Sequence, residues 1–211
     1  MADFNGLQEA VINGNLPEAT RLTQAALDEG TSPGAIVNDA LIPGMLVVGE
    51  KFKNNEFYVP EMLISARAMK GAMAVLKPHL KPGDMPDIGT VAIGTVQGDL
   101  HDIGKNLVAM MLEGAGFKIV DLGVDVSPEK FLGAVTGQGA NIVALSALLT
   151  TTMPNIGRTV EALREAGVRD DVKVIIGGAP VTQAYCDEVG ADGYSPDAGS
   201  AVDLLKALVA A

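Results

Sequence analysis

Helices alone in the first third and strands alternating with helices afterwards predict a two-domain α + α/β protein. The first domain reads as a four-helix bundle, the second as a five-stranded, parallel, doubly wound sheet. Three observations carry this reading. Residues 1–77 place apolar side chains only at helical spacing, residues 78–88 hold three prolines and a glycine, and from Thr90 short apolar runs alternate with amphipathic stretches.

Taken in order, Phe4, Leu7, Val11 and Ile12 mark a first helix that Asn13-Gly14-Asn15 ends. A second runs from Leu16-Pro17 to about Asp28, with proline in its first turn, and Glu29-Gly30 closes it. Ser32-Pro33 has the form of a cap followed by a first-turn proline. The third helix then carries Ile36, Ala40, Met45 and Val48 to about Lys53, and Pro43 should kink it or mark its restart. After Asn54-Asn55, Pro60 opens a fourth with Met62, Leu63, Ala66, Met69 and Met73 on one side. Four such helices with short loops suggest a bundle over 1–77, followed by a linker at 78–88.

In the second domain, 89–211, strands are expected at 90–94, 118–122, 142–146, 172–177 and, weakly, 191–194. Helices are expected at 103–114, 127–138, 153–166, 180–189 and 197–210. Continuous apolar strands such as Ile142-Val143-Ala144-Leu145 imply a parallel sheet covered on both faces, Rossmann-like or flavodoxin-like. Ligands of such sheets bind beyond the carboxyl ends of the strands.

Composition narrows the function. Of 211 residues 48% are hydrophobic, enough for a substantial core, and no apolar run is long enough to span a bilayer. The N-terminus Met1-Ala2-Asp3-Phe4-Asn5 lacks the basic and apolar regions of a secretion signal, so a cytoplasmic location is expected. A net charge of -11 and 4% aromatic residues argue against a nucleic-acid partner. The single cysteine, Cys186, excludes an internal disulfide and a cysteine-cluster metal site, and reads as a small core residue.

The chemistry concentrates in the loop after the first strand, Gly98-Asp99-Leu100-His101-Asp102-Ile103-Gly104-Lys105-Asn106. The loops after the third, fourth and fifth strands bring Ser146 through Thr152, Gly177-Gly178 and Tyr194 to the same rim. No G-x-S-x-G elbow is present, and the glycines fit neither a P-loop nor a dinucleotide fingerprint. A zinc site would need more protein ligands than His101 and its neighbouring carboxylates. A metal-bearing cofactor that brings most of its own ligands and takes one imidazole from the protein fits this rim. Asp102 and Lys105 read as solvated charges at a helix start, and His79 as an inert linker residue.

Asp99-x-His101-x-x-Gly104, Ser146-x-Leu148 and Gly177-Gly178, each at a strand end, resemble the cobalamin-binding signature D-x-H-x-x-G, S-x-L, G-G. Val47 through Phe52, Phe57 through Pro60 and Ser65 through Lys70 resemble the helical cap of cobalamin-dependent methionine synthase. The whole chain is more similar still to the small corrinoid proteins of methanogen and acetogen methyltransferase systems. The resemblance implies a helical cap domain (1–77) and a cobalamin-binding domain (89–211). It implies cobalamin or a related corrinoid as cofactor, as methylcobalamin in the loaded state, with His101 as the lower axial ligand of cobalt. Asp99 would hold the other imidazole nitrogen and Thr152 would stand where methionine synthase completes the relay with serine. Ser146 and Thr150 would face the nucleotide tail, Gly177 and Gly178 would leave room for it, and Tyr194 would line its pocket. Phe52 and Val59 would shield the methyl group.

The implied function is that of a methyl carrier in one-carbon metabolism that does not turn over alone. One partner methyltransferase would load it from a methylamine, methanol, an aromatic methyl ether or a betaine. A second would pass the methyl group to tetrahydrofolate or coenzyme M, and a reductive activator would complete the system. Two other readings share the cobalamin domain: a subunit of an adenosylcobalamin mutase, which lacks such a cap, and a cobalamin sensor or storage module. Simpler roles also stand beside the implied ones. Asp99 and Thr152 are suited to capping helices, and Phe52 and Val59, seven apart as on one helical face, also suit a bundle core.

Overall fold

A computed structural model describes residues 2–81, 84 and 88–210. It divides into two compact units, Met1–Asp87 with Glu113–Gly116, and Ile88–Leu112 with Phe117–Ala211. Of the expected linker, Pro82, Gly83, Met85, Pro86 and Asp87 lie outside the described residues.

In the helical unit, Asp3 caps α1 (Phe4–Ile12) by accepting from the Gly6 amide at 2.8 Å. Asn15 does the same for α2 (Leu16–Asp28) through the Glu18 amide. α3 (Pro33–Ile36) passes through a π-helical turn, Val37–Leu41, into α4 (Ile42–Lys53). Pro43 explains the turn. It has no N–H for the carbonyl one helical turn back, and the rod absorbs the missing bond by switching to i→i−5 pairing, Ile42 N–H to Val37 C=O, just before it. The kink expected at Pro43 is therefore a change of helical pitch upstream of it.

α5 (Val59–Leu76) completes the four rods and buries Met62, Ser65, Ala66, Ala68, Met69, Ala72 and Leu76. Leu63, expected on that face, is exposed. Small residues let α5 approach its neighbours closely: a Cβ on Gly71 would fall 2.1 Å from Leu16 Cδ1. The Ser65 hydroxyl donates to the Ile12 carbonyl at 2.9 Å, satisfying both at the end of α1.

The second unit alternates strictly: β1 (Thr90–Val96), α6 (Ile103–Gly114), β2 (Lys118–Val126), α7 (Pro128–Gln138), β3 (Ile142–Ser146), α8 (Pro154–Glu165), β4 (Lys173–Gly177), α9 (Gln183–Val189), β5 (Gly193–Ser195) and α10 (Ala198–Ala210). All five strands are parallel in the order β2-β1-β3-β4-β5. Buried side chains of α7, α8 and α9, among them Phe131, Ile156, Val160, Leu163 and Cys186, pack with the strands into one core. α9 starts three residues later than expected because a turn closed by Val181 N–H to Gly178 C=O precedes it, and Thr182 then caps the helix.

β2 runs four residues beyond its expected end. Opposite β1 it carries extra residues at two places, since Ile93 pairs with Asp121, Gly94 with Gly123 and Val96 with Val126. Such bulges bend a strand and re-aim its side chains. The apolar-run criterion ended the strand at Leu122 because Gly123 and Asp125 interrupt the pattern.

Candidate functional site

The strand order reverses direction between β1 and β3, so the loops after these two strands flank the topological switch point of the sheet. The β1 loop carries Asp99 and His101, and the β3 loop carries Leu148, Thr150 and Thr152. Asp99 joins them. Its carboxylate is fully buried. Oδ1 accepts from His101 Nδ1 at 2.7 Å and from the His101 amide at 3.1 Å. Oδ2 accepts from the Thr152 hydroxyl at 2.7 Å and from the amides of Leu148 at 2.8 Å and Leu149 at 3.3 Å.

Burial by itself would raise the Asp99 pKa. The bonds from Thr152, Leu148 and His101 outweigh it and hold the carboxyl well below the usual carboxylate range. An ionised carboxylate can only accept. His101 Nδ1 therefore carries the proton, and the lone pair of the neutral ring lies on Nε2.

The imidazole is 51% exposed on this buried carboxylate. The Thr95 hydroxyl, donating to the His101 carbonyl at 2.7 Å, fixes the main chain beneath it. The same two loops and the first turn of α6 expose Leu100, Ile103, Leu148 and Leu149, four large apolar side chains. A Cβ on Gly104 would meet nothing within 4 Å. One imidazole nitrogen with a free lone pair, an apolar surround and an uncrowded helix start fit a large, largely apolar ring system whose metal needs one more ligand. Among the described residues no group of three or more His, Cys, Asp or Glu side chains could hold a bare metal ion.

The remaining expected residues fall as follows. Ser146 ends β3, pairs with Thr95 and Gly177 across the sheet, and is half-buried; Thr150 is exposed. Tyr194 is half-buried on β5 beside Ile176 and packs against the core. Gly178 has φ +123°, and a Cβ there would lie 1.9 Å from the Ala147 carbonyl oxygen. Gly178 is thus required by close approach of the β4 loop to the β3 loop, where the Ala147 amide donates to the Gly177 carbonyl at 3.1 Å; a Cβ on Gly177 would instead lie 3.1 Å from the Ser195 carbonyl oxygen on β5. Thr152 places its hydroxyl on Asp99 and the Leu149 carbonyl; α8 begins after Met153 without a side-chain cap.

Phe52 and Val59 belong to the helical unit. The seven-residue spacing does not put them on one helical face, because Phe52 is the penultimate residue of α4 and Val59 starts α5, with the turn at 54–58 between them. Both are half-exposed and outside the buried core. Lys105 is a correction of another kind. It is not a solvated charge: it is 3% exposed, with Nζ 2.6 and 2.7 Å from the two carboxylate oxygens of Asp121. Burial raises the pKa of Asp121, and the bond from Lys105 outweighs this and lowers it. Sequence reasoning also passed over Asp125, whose Oδ1 accepts from the Gly98 amide at 2.7 Å, and Asn155, which donates to the Gln97 carbonyl at 2.7 Å. These partners lie 27 and 58 residues from the loop they hold, beyond the reach of any local pattern.

Two family profiles, each described as a B12 binding domain, match the chain, one over residues 89–203 and the other over residues 4–77. The chain is 44% identical over 202 residues to the trimethylamine corrinoid protein of Methanosarcina barkeri, covering 95% of this chain and 93% of that one. A cobalamin-binding protein from Desulfitobacterium hafniense has a similar structure, with a TM-score of 0.81, 32% identity and 98% of each chain covered. A chain of the methanol:cobalamin methyltransferase complex from Methanosarcina barkeri superposes with a TM-score of 0.88 and 31% identity, over 98% of this chain and 79% of that chain.

Proposed function

This chain belongs to the B12-binding corrinoid proteins of methyltransferase systems, and we propose that within such a system it takes a methyl group from one methyltransferase and delivers it to another. A bound corrinoid supplies the chemistry, a cobalt centre that accepts and releases a methyl group. The protein holds the cofactor and tunes it. Relatives named for trimethylamine and for methanol support a small methylated compound as the donor. Coenzyme M or tetrahydrofolate would be the acceptor, and a reductive activator the third partner. All of this would take place in the cytoplasm; among the described residues no helix is long and apolar enough to cross a membrane.

One observation supports the assignment: His101 Nδ1 lies 2.7 Å from the buried Asp99 carboxylate, which leaves the Nε2 lone pair free to ligate. A carboxylate behind a metal-bound imidazole sets its tautomer and raises its basicity. The Thr152 hydroxyl extends this relay by one bond, in place of the serine of methionine synthase. Leu148 and Gly104 would help hold the cofactor, Ser146, Thr150 and Tyr194 would face its nucleotide tail, and Gly177 and Gly178 would leave room for that tail. Phe52 and Val59, on the helical cap (1–77), would shield the transferred methyl group.

The test is reconstitution of wild type and His101→Ala with cobalamin, followed by visible spectra. A spectrum unchanged by the substitution refutes the ligand assignment. Failure of wild type to retain any cobalamin refutes the whole reading. Transfer from methylcobalamin-loaded protein to coenzyme M or tetrahydrofolate, each with its methyltransferase, then identifies the acceptor.

A further inference from the structure

We propose that Asp125 is a positioning residue for the His101 ligand, holding the main chain of the β1–α6 loop on either side of the Gly98–Asp99 peptide. The inference rests on the reading of His101 as the axial ligand. Asp99 has two attachments to keep in register. Its carboxylate is tied to the β3 loop, and its main chain must hold still for that carboxylate to meet His101 Nδ1. Asp125 supplies the second attachment. Its Oδ1 accepts from the Gly98 amide at 2.7 Å, and its own amide donates to the Asp99 carbonyl at 3.0 Å.

Asp125 makes both bonds from a backbone conformation that side chains seldom adopt, with φ +51°. Aspartate is among the few residues that tolerate it, and such conformations persist where the surrounding structure imposes them. The bulge imposes it here: Asp125 lies in the second irregularity of β2, between Gly123, which pairs with Gly94, and Val126, which pairs with Val96 at the end of β1. The same segment holds the far side of the loop as well. Asp121 is bonded to Lys105, four residues after His101 and buried in the first turn of α6. The ligand loop is therefore fastened before and after His101 to one short stretch, residues 121–125. Asp125 itself is exposed and touches no ring atom of His101, so its action is through the backbone.

Three variants of the full chain separate the contributions. Asp125→Asn keeps an acceptor oxygen and tolerates the backbone. Asp125→Gly relieves the strain and drops the acceptor. Asp125→Ala drops the acceptor and keeps the strain. In cofactor-free protein, hydrogen exchange at the Gly98 amide should quicken roughly 3- to 10-fold in the Gly and Ala variants, as loss of one ordinary hydrogen bond requires, and stay at the wild-type rate in Asn. The second readout is electron paramagnetic resonance of bound cob(II)alamin with ¹⁵N-labelled histidine. A histidine ligand converts the nitrogen triplet to a doublet, and the doublet fraction should fall in Gly and Ala and be kept in Asn. A wild-type spectrum without the doublet overturns the assignment of His101, on which this inference stands. A wild-type doublet that Gly and Ala leave undiminished overturns the role of Asp125, whatever the exchange rate. A doublet lost without faster Gly98 exchange overturns it too, because the effect would not pass through that bond.

Discussion

Replacing Asp99 by asparagine separates the charge of the relay from its shape. The side chain keeps its volume, but one oxygen becomes an NH₂ group. If the NH₂ took the Oδ2 position it would face the Leu148 and Leu149 amides, two backbone donors. In the Oδ1 position it faces one backbone donor, the His101 amide, and the ring nitrogen Nδ1. The second orientation costs less. It obliges Nδ1 to accept, so the ring proton moves to Nε2 and the nitrogen assigned to cobalt loses its lone pair.

The expected loss of stability at pH 7 is about 2–4 kcal/mol, from weakened charge-assisted bonds and one buried donor left facing another. The sign with pH follows from the direction of the Asp99 shift. The folded carboxyl titrates lower than the unfolded one, at about 3.9, so its contribution is present above that value and is lost as pH falls below it. At pH 3 the gap between wild type and Asp99→Asn should narrow by roughly 1.3 kcal/mol. Urea unfolding at both pH values, followed by circular dichroism, measures this, and ¹⁵N chemical shifts of the imidazole report the tautomer. Wild-type stability at pH 7 together with an unmoved ring proton would refute the argument.

Six further substitutions, at five positions, test neighbouring parts of the site. Thr152→Ser, which keeps the hydroxyl on Asp99, should stay within about 0.5 kcal/mol of wild type, and Thr152→Val should cost about 1–2 kcal/mol by the same unfolding assay. Gly178→Ala should cost roughly 3 kcal/mol or more, because its Cβ meets the Ala147 carbonyl. Gly104→Ala, facing open space, should gain up to about 0.5 kcal/mol while weakening cobalamin binding, as thermal unfolding and titration would report. Asp121→Ala strands a buried ammonium and should cost about 2–4 kcal/mol, tempered because Asp121 is itself 44% exposed. Lys105→Met frees a carboxylate that can reach water and should cost less; equal losses in melting temperature would refute that asymmetry.

Much of this was legible locally. The helices of the first unit follow from caps and prolines at Asp3, Asn15, Ser32 and Pro60, whose effects act over three or four residues. The strands β3 and β4 are short apolar runs and were readable within a residue of their ends. Less was legible where a residue answers to a distant partner. Lys105 looks like any helix-start lysine, and nothing within a few positions announces that Asp121 will neutralise it across a strand. Phe52 and Val59 mislead for the opposite reason, since a spacing that suits one face means nothing once a turn intervenes.

By itself, then, the sequence determined the two kinds of secondary structure, the order of the elements and the rim on which Asp99, His101, Ser146, Thr152 and Gly177 gather, because these depend on periodicity and on which end of a strand a loop follows. Tertiary structure alone decided that β1 and β3 lie side by side, so that Thr152 can reach Asp99 across 53 residues of chain. It also decided that β2 bends far enough for Asp121 and Asp125 to fasten the histidine loop. Strand order and bulge geometry are settled by packing among residues far apart in sequence, and a hydrogen bond made at that range leaves no mark on the spacing of its neighbours.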